Sequence, residues 1–166
     1  MDVQFYLDQF QKTVDGFDKK HFAKKQLEVA VGVYKENSVF IKLYKQAWIN
    51  PEQDPLTAES RIFFSVWVTD ASMQDKKIWY NIHAFKLRKL KGYSIKSRKF
   101  AELFRADFKN FRHKWQNVSV NFGPLTLMEG WTKINGADLQ ERITELAFNF
   151  FETADLIDST LIKFKR

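Results

Sequence analysis

The chain has 166 residues, 45% of them hydrophobic and 28% charged, a normal composition for a globular protein that argues against disorder. It contains no cysteine, which excludes disulfides, thiolate nucleophiles and zinc sites built on cysteine. Its formal charge is +7, and thirteen of its 27 Lys and Arg residues lie between positions 76 and 114, where there are only two acids.

A single domain is expected over residues 1–166, because the length is typical of one domain and no repeat, low-complexity tract or linker interrupts the pattern. The N-terminal residues lack the basic and apolar regions of a signal peptide. The most apolar run, residues 62–68, is too short to cross a bilayer. We therefore expect a cytoplasmic protein that contacts no membrane.

The first half of the chain predicts helices followed by a group of strands. An amphipathic pattern indicates a helix over residues 2–15 that ends at Gly16, and Asp18 can cap a short helix over 18–25. Apolar residues then alternate with polar ones, as is typical of strands. The strands are predicted at 26–34, 39–48, 61–69 and 78–87, with a long loop at 49–60 and a turn at 70–77.

The second half predicts a helix capped by Ser97, two short strands at 117–122 and 125–131, and a final helix. Asp138 and Glu141 have the spacing of a capping box at the start of that helix, which either runs unbroken or breaks near Asp155. Because the strands cluster, we predict an α+β fold. It is an antiparallel meander of four main strands plus a short C-terminal strand pair, packed against N-terminal, middle and long C-terminal helices.

Apolar stripes on the two later helices predict the core. The middle helix contributes Leu103, Phe104, Phe108 and Phe111, and the last helix contributes Ile143, Phe150 and Ile157.

Seven Lys and Arg residues with no acid between them form what we call the basic segment. They are Lys86, Arg88, Lys89, Lys91, Lys96, Arg98 and Lys99. Such residues can neutralise phosphates, and Tyr93 among them can stack on a base. The alternative is a solvated strand end and loop, since no named nucleic-acid motif is present. The sequence thus favours a non-enzymatic binding module whose basic face contacts nucleic acid or an acidic protein partner.

A second hypothesis is an enzyme that acts without metal on an anionic or phosphorylated substrate. Asn81 and His83 share one face of a predicted strand, so His83 can act as the acid–base and Arg88 as a charge stabiliser. Against this, a lone histidine is more often structural, and the two polar side chains can simply satisfy each other.

The remaining patterns point to no cofactor and no metal. The histidines at 21, 83 and 113 have no metal-ligand spacing, and no glycine-rich phosphate loop is present. Phe63, Trp67, Trp79 and Phe85 are expected to lie on one sheet face and to be core. If helices leave that face uncovered, it is an exposed apolar concavity for a ligand or partner.

Overall fold

The computed structural model describes residues 1–166 and has the predicted α+β architecture. The elements in chain order are α1 (Val3–Asp15), α2 (Lys19–Lys24), β1 (Glu28–Tyr34), β2 (Ser38–Tyr44), β3 (Arg61–Thr69), α3 (Asp70–Gln74), β4 (Lys77–Phe85), α4 (Ser97–Phe108), β5 (Thr126–Lys133) and α5 (Leu139–Ile162). Single 3₁₀ turns lie at Gln46–Trp48, Leu87–Lys89 and Arg112–Lys114. No helix combines the length and the apolar character that crossing a bilayer requires.

The strands form one antiparallel sheet in the order β1-β2-β3-β4-β5. The predicted four-strand meander is confirmed, and β5 extends it along the outer side of β4. Only one strand of the predicted C-terminal pair is observed. Residues 125–131 correspond to β5, but residues 117–122 form no regular strand. Asn117 has a φ of 53°, which interrupts extended backbone, and Ser119 makes a single bridge to Glu129. This segment covers the outer edge of β5, whereas the outer edge of β1 has no neighbouring strand.

The three long helices pack on one face of the sheet. Helix α1 lies against β1 and β2, α4 against β5, and α5 against β3. Alternate residues of β2 accordingly point into the core, where Val39, Ile41 and Leu43 are buried. The predicted core is confirmed for Phe104, Phe108, Ile143, Phe150 and Ile157, whereas Leu103 and Phe111 are only half-buried.

Helix boundaries confirm some of the predicted caps and correct others. Asp18 accepts from the backbone N–H of His21 and caps α2, and Gly16 ends α1. Ser97 is the first residue of α4 and does not cap it. Asp138 has φ −92° and ψ 13°, so it lacks the extended backbone of a capping residue and accepts from the N–H of Asn135 instead. The predicted turn after β3 contains the short helix α3, capped reciprocally by Thr69 and Ser72.

Helix α5 is continuous and is tied to the loop after β2 by a partly buried polar cluster. Asp158 accepts from Lys45 Nζ at 2.6 Å and from Trp48 Nε1 at 2.8 Å. The side chain of Lys45 is only 8% exposed, so its ammonium group depends on this carboxylate for a partner. The cluster therefore fixes the position of the helix against the sheet.

We expect Phe104→Ala or Phe150→Ala to lower the free energy of unfolding by about 3–5 kcal/mol, because each leaves a cavity in the core. Urea unfolding followed by circular dichroism measures the change. Phe148→Ala is the matched control, since that ring is 52% exposed and its loss should cost much less. A loss below about 1 kcal/mol at either core position would contradict the packing described above.

We also expect Asp158→Ala to destabilise the protein by about 1–3 kcal/mol, because it leaves the Lys45 ammonium and the Trp48 indole N–H without an acceptor. Asp155→Ala is the control, since Asp155 lies in the same helix and its ion pair with Lys25 is more exposed. Equal stability losses in the two variants would show that the buried cluster contributes nothing beyond a surface ion pair.

Candidate functional site on the open face of the sheet

The sheet face opposite the helices is not covered by any element of the chain. Trp67 pairs with Phe40 on one side and with Trp79 on the other, and Trp79 pairs in turn with Trp131. These residues therefore form a row across four strands. Of Phe63, Trp67, Trp79 and Phe85, all expected to be core, only Phe63 is buried, because all the long helices pack on the other face. Neighbouring side chains of the open face bury Phe63, and the other three remain half-buried.

A concavity of about 350 Å³ lies on this open face. We call it the sheet concavity. Its lining residues come from the first four strands: Tyr34, Ser38, Phe40, Lys42, Arg61, Phe63, Ser65, Trp67, Asn81, His83 and Phe85. The set combines aromatic walls with two cations, three small polar side chains and one imidazole.

Asn81 and His83 hydrogen-bond each other in the concavity, which is one of the arrangements that the sequence left open. Asn81 Nδ2 donates to Glu129 Oε1 at 3.1 Å, which identifies this atom as the amide nitrogen, and it lies 2.9 Å from His83 Nε2. His83 Nε2 therefore accepts, and Nδ1 carries the proton towards the carbonyl of Leu125 at 3.2 Å. Burial lowers the pKa of His83 below its ordinary value, so the ring is neutral at pH 7.

Lys42 and Arg61 belong to the concavity, and neither was predicted from the sequence as a site residue. Lys42 Nζ lies 4.6 Å from the centre of the Phe63 ring, and Arg61 Cζ lies 5.2 Å from it. Neither side chain forms a salt bridge. Burial lowers the pKa of Lys42, and the charge of Arg61 lowers it further. The period-two alternation that places Phe63 and Trp67 on this face also places Arg61 there, so the signal was present in the sequence.

The basic segment lies away from the concavity, beyond the end of β4. Its seven cations lie on the surface as expected, but three of them are paired with an acid and four are free charges. Lys86 and Lys89 share Glu59, at 3.2 and 2.8 Å, and Lys99 pairs with Glu102 at 3.3 Å. The cations that have no acid partner are Arg88, Lys91, Lys96 and Arg98. All the cations of the segment are exposed.

Tyr93, which was expected to stack on a base, is partly covered by the chain. It is half-buried against the hydrophobic core and forms a backbone bridge with Lys165 near the C-terminus. Arg88 is likewise not among the residues that line the sheet concavity with His83. The structure thus brings Asn81 and His83 together and leaves Arg88 on the separate basic face.

A groove beside α4 extends the basic face. Arg105 fixes one wall of it, because its guanidinium donates to the backbone carbonyls of Phe122, Gly123, Thr126 and Leu127. Arg98 and Lys109 line the same groove and have no acid partner. The cations of α4 therefore continue the charge of the basic segment along the helix.

No group of three or more His, Asp or Glu side chains is arranged to hold a metal ion. Comparison of the chain with protein-family models, with curated proteins and with solved structures found no match to any of them.

Proposed function

We propose that the chain is a non-enzymatic binding domain whose basic face contacts nucleic acid or an acidic protein partner. The observation that carries this proposal is that Arg88, Lys91, Lys96 and Arg98 are exposed and have no acid partner. Unpaired like charges repel one another, and an anionic partner relieves that repulsion.

The groove beside α4 supports a long anionic partner. Arg98 belongs both to the basic segment and to the groove, and Lys109 lies eleven residues further along the chain at the end of α4. At about 1.5 Å per residue the two cations are roughly 16 Å apart along the helix. A nucleic-acid backbone carries several phosphates over such a distance, so one strand can contact both ends of the groove.

The enzymatic alternative is less well supported by the geometry of His83. A general base needs a ring nitrogen within reach of a substrate proton. Here Nε2 accepts from Asn81 and Nδ1 faces the carbonyl of Leu125, so both nitrogens are engaged within the chain. The enzymatic hypothesis would gain support if a ligand displaced the Asn81 amide from His83 Nε2, because that nitrogen could then accept a substrate proton.

Nucleic-acid binding is tested by a salt titration with labelled single- and double-stranded DNA and RNA. We expect binding at about 50 mM salt that weakens steeply as salt is raised, with a log–log slope of about 0.9 per neutralised phosphate on duplex DNA. Charge reversal of the four unpaired cations, Arg88, Lys91, Lys96 and Arg98, to Glu should abolish this binding, because it removes the free charges without touching the core.

The matched control reverses Lys12, Lys19, Lys20 and Lys24, which changes the net charge equally on the exposed surface of α1 and α2. Circular dichroism checks that each variant is folded. If neither DNA nor RNA binds at low salt, the nucleic-acid version is wrong and acidic proteins become the partners to test. If the control weakens binding as much as the basic-face variant does, the interaction follows net charge and has no site on this face.

The neutral state of His83 predicts a pH dependence of stability. As the pH falls below about 6.5, the unfolded chain gains a proton at position 83 that the folded chain does not bind, so the free energy of unfolding decreases. The decrease ends once the pH is below the lowered pKa of the folded state. Urea unfolding at several pH values should show a flatter profile for His83→Gln than for the wild type. An NMR titration in which His83 gains its proton at or above pH 6.5 would contradict the buried neutral ring.

A further inference from the structure

We infer that the sheet concavity is a second binding site, independent of the basic face, for a small organic oxyanion with a flat aromatic body. The oxyanion is a carboxylate or a phosphate group that lies between Lys42 and Arg61. The body lies against the aromatic side chains at the other end of the concavity.

The charges of the concavity favour an anion. Lys42 and Arg61 both approach the ring of Phe63, and the ammonium group also lies 4.8 Å from the centre of Phe40. The rings offset part of the positive charge through cation–π contacts, but no carboxylate pairs with either cation. Because burial also lowers the pKa of Arg61, the concavity holds two partly desolvated like charges side by side. An oxyanion is the group that both side chains bind most strongly.

Polar atoms around the cations have bonding capacity to spare. Arg61 Nε and Asn81 Oδ1 are buried, and neither has a hydrogen-bond partner. Buried polar groups in folded proteins are almost always hydrogen-bonded, so unsatisfied atoms in two lining residues of one concavity are unusual. A small movement of Arg61 would let its Nε–H donate to a bound oxyanion. Asn81 Oδ1 is an acceptor and cannot pair with the oxyanion.

The opposite end of the concavity has flat apolar walls. Tyr34 and Trp67 line it together with Phe40, whose ring also contacts the Lys42 ammonium and so joins this end to the cations. Trp79 lies beside Trp67, with ring centres 6.4 Å apart and ring planes 25° from parallel. Tyr34 is 58% exposed, so this end is accessible from solvent. Aromatic rings stack favourably on other planar groups, which favours an aromatic body over an alkyl chain.

The dimensions indicate a small ligand instead of a polymer. A volume of about 350 Å³ falls near the lower end of the range of about 300–1,000 Å³ that is usual for small-molecule sites. The cations here are half-buried between rings, whereas those of the basic segment are exposed. One head group can therefore contact both Lys42 and Arg61, which are the two cations of the lining.

The test is isothermal titration calorimetry with four probes: 2-naphthoate, 2-naphthyl phosphate, the neutral 2-naphthylmethanol and acetate. We expect at least one of the two naphthyl oxyanions to bind, and to bind at least about tenfold more tightly than the neutral alcohol, because only the oxyanion pairs with both cations. Acetate should bind more weakly than 2-naphthoate, because it lacks the aromatic body. The tighter of the two oxyanions identifies the head group.

Lys42→Met and Arg61→Met should each weaken the binding of that oxyanion by about tenfold or more, since methionine keeps much of the side-chain length and removes the charge. Lys12→Met is the control. Lys12 is exposed on α1, which packs on the opposite face of the sheet from the concavity, and it forms no salt bridge. Circular dichroism establishes that each variant is folded. In the NMR spectrum, the indole N–H of Trp67, assigned with Trp67→Phe, should shift on addition of the oxyanion.

The inference is wrong if neither oxyanion binds at millimolar concentration, or if 2-naphthylmethanol binds as tightly as the oxyanions. It is also wrong if Lys42→Met and Arg61→Met both bind the oxyanion like the wild type. The result is separable from that of the basic face, because the charge reversal at Arg88, Lys91, Lys96 and Arg98 should leave naphthyl-oxyanion binding unchanged. Conversely, Lys42→Met should leave the salt-dependent binding of nucleic acid unchanged.

Discussion

The rings of Phe64 and Phe150 lie 4.5 Å apart and within 5° of parallel where α5 crosses the sheet. Trp48 meets Phe150 edge-on from the loop after β2, and Trp115 meets Phe64 from the segment after α4. Because this stack brings α5 onto β3 at the middle of the sheet, the other long helices pack beside α5 on the same face. The opposite face is left without a helical cover, and every feature of the sheet concavity follows from that one-sided arrangement.

Much of the fold could be predicted because it depends on local periodicity. The alternation in β3 placed its bounds at residues 61–69, as observed, and the helical stripe of α5 identified Ile143, Phe150 and Ile157 as core. The errors lie where tertiary contacts override a local signal. Asp138 and Glu141 have capping-box spacing, but both carboxylates pair with Arg142, so Glu141 does not complete the box. The alternation in residues 117–122 likewise predicted a strand, but these residues form only a single bridge to β5.

The candidate sites were predicted less completely, because charge pairing and surface exposure depend on contacts that are distant in sequence. Composition located the basic segment, but it did not show that Glu59, in the loop before β3, would pair with both Lys86 and Lys89. The aromatic face was recognised, yet its assignment to the core required helices on both sides of the sheet. Lys42 was missed because a single lysine in a strand is ordinary, and its meaning appears only when Arg61 is placed beside it over Phe63.

The two cations over Phe63, Lys42 and Arg61, favour the binding of an anion but lower the stability of the fold. A lysine whose pKa is lowered on folding makes the charged folded state less favourable than it would be in water, so Lys42 weakens the fold at neutral pH. A sequence optimised for stability alone would carry an apolar or uncharged side chain at this position. An anion that binds the concavity only in the folded state raises the melting temperature of the wild type by mass action. In this chain, thermal shift therefore reports whether an anion has bound between Lys42 and Arg61.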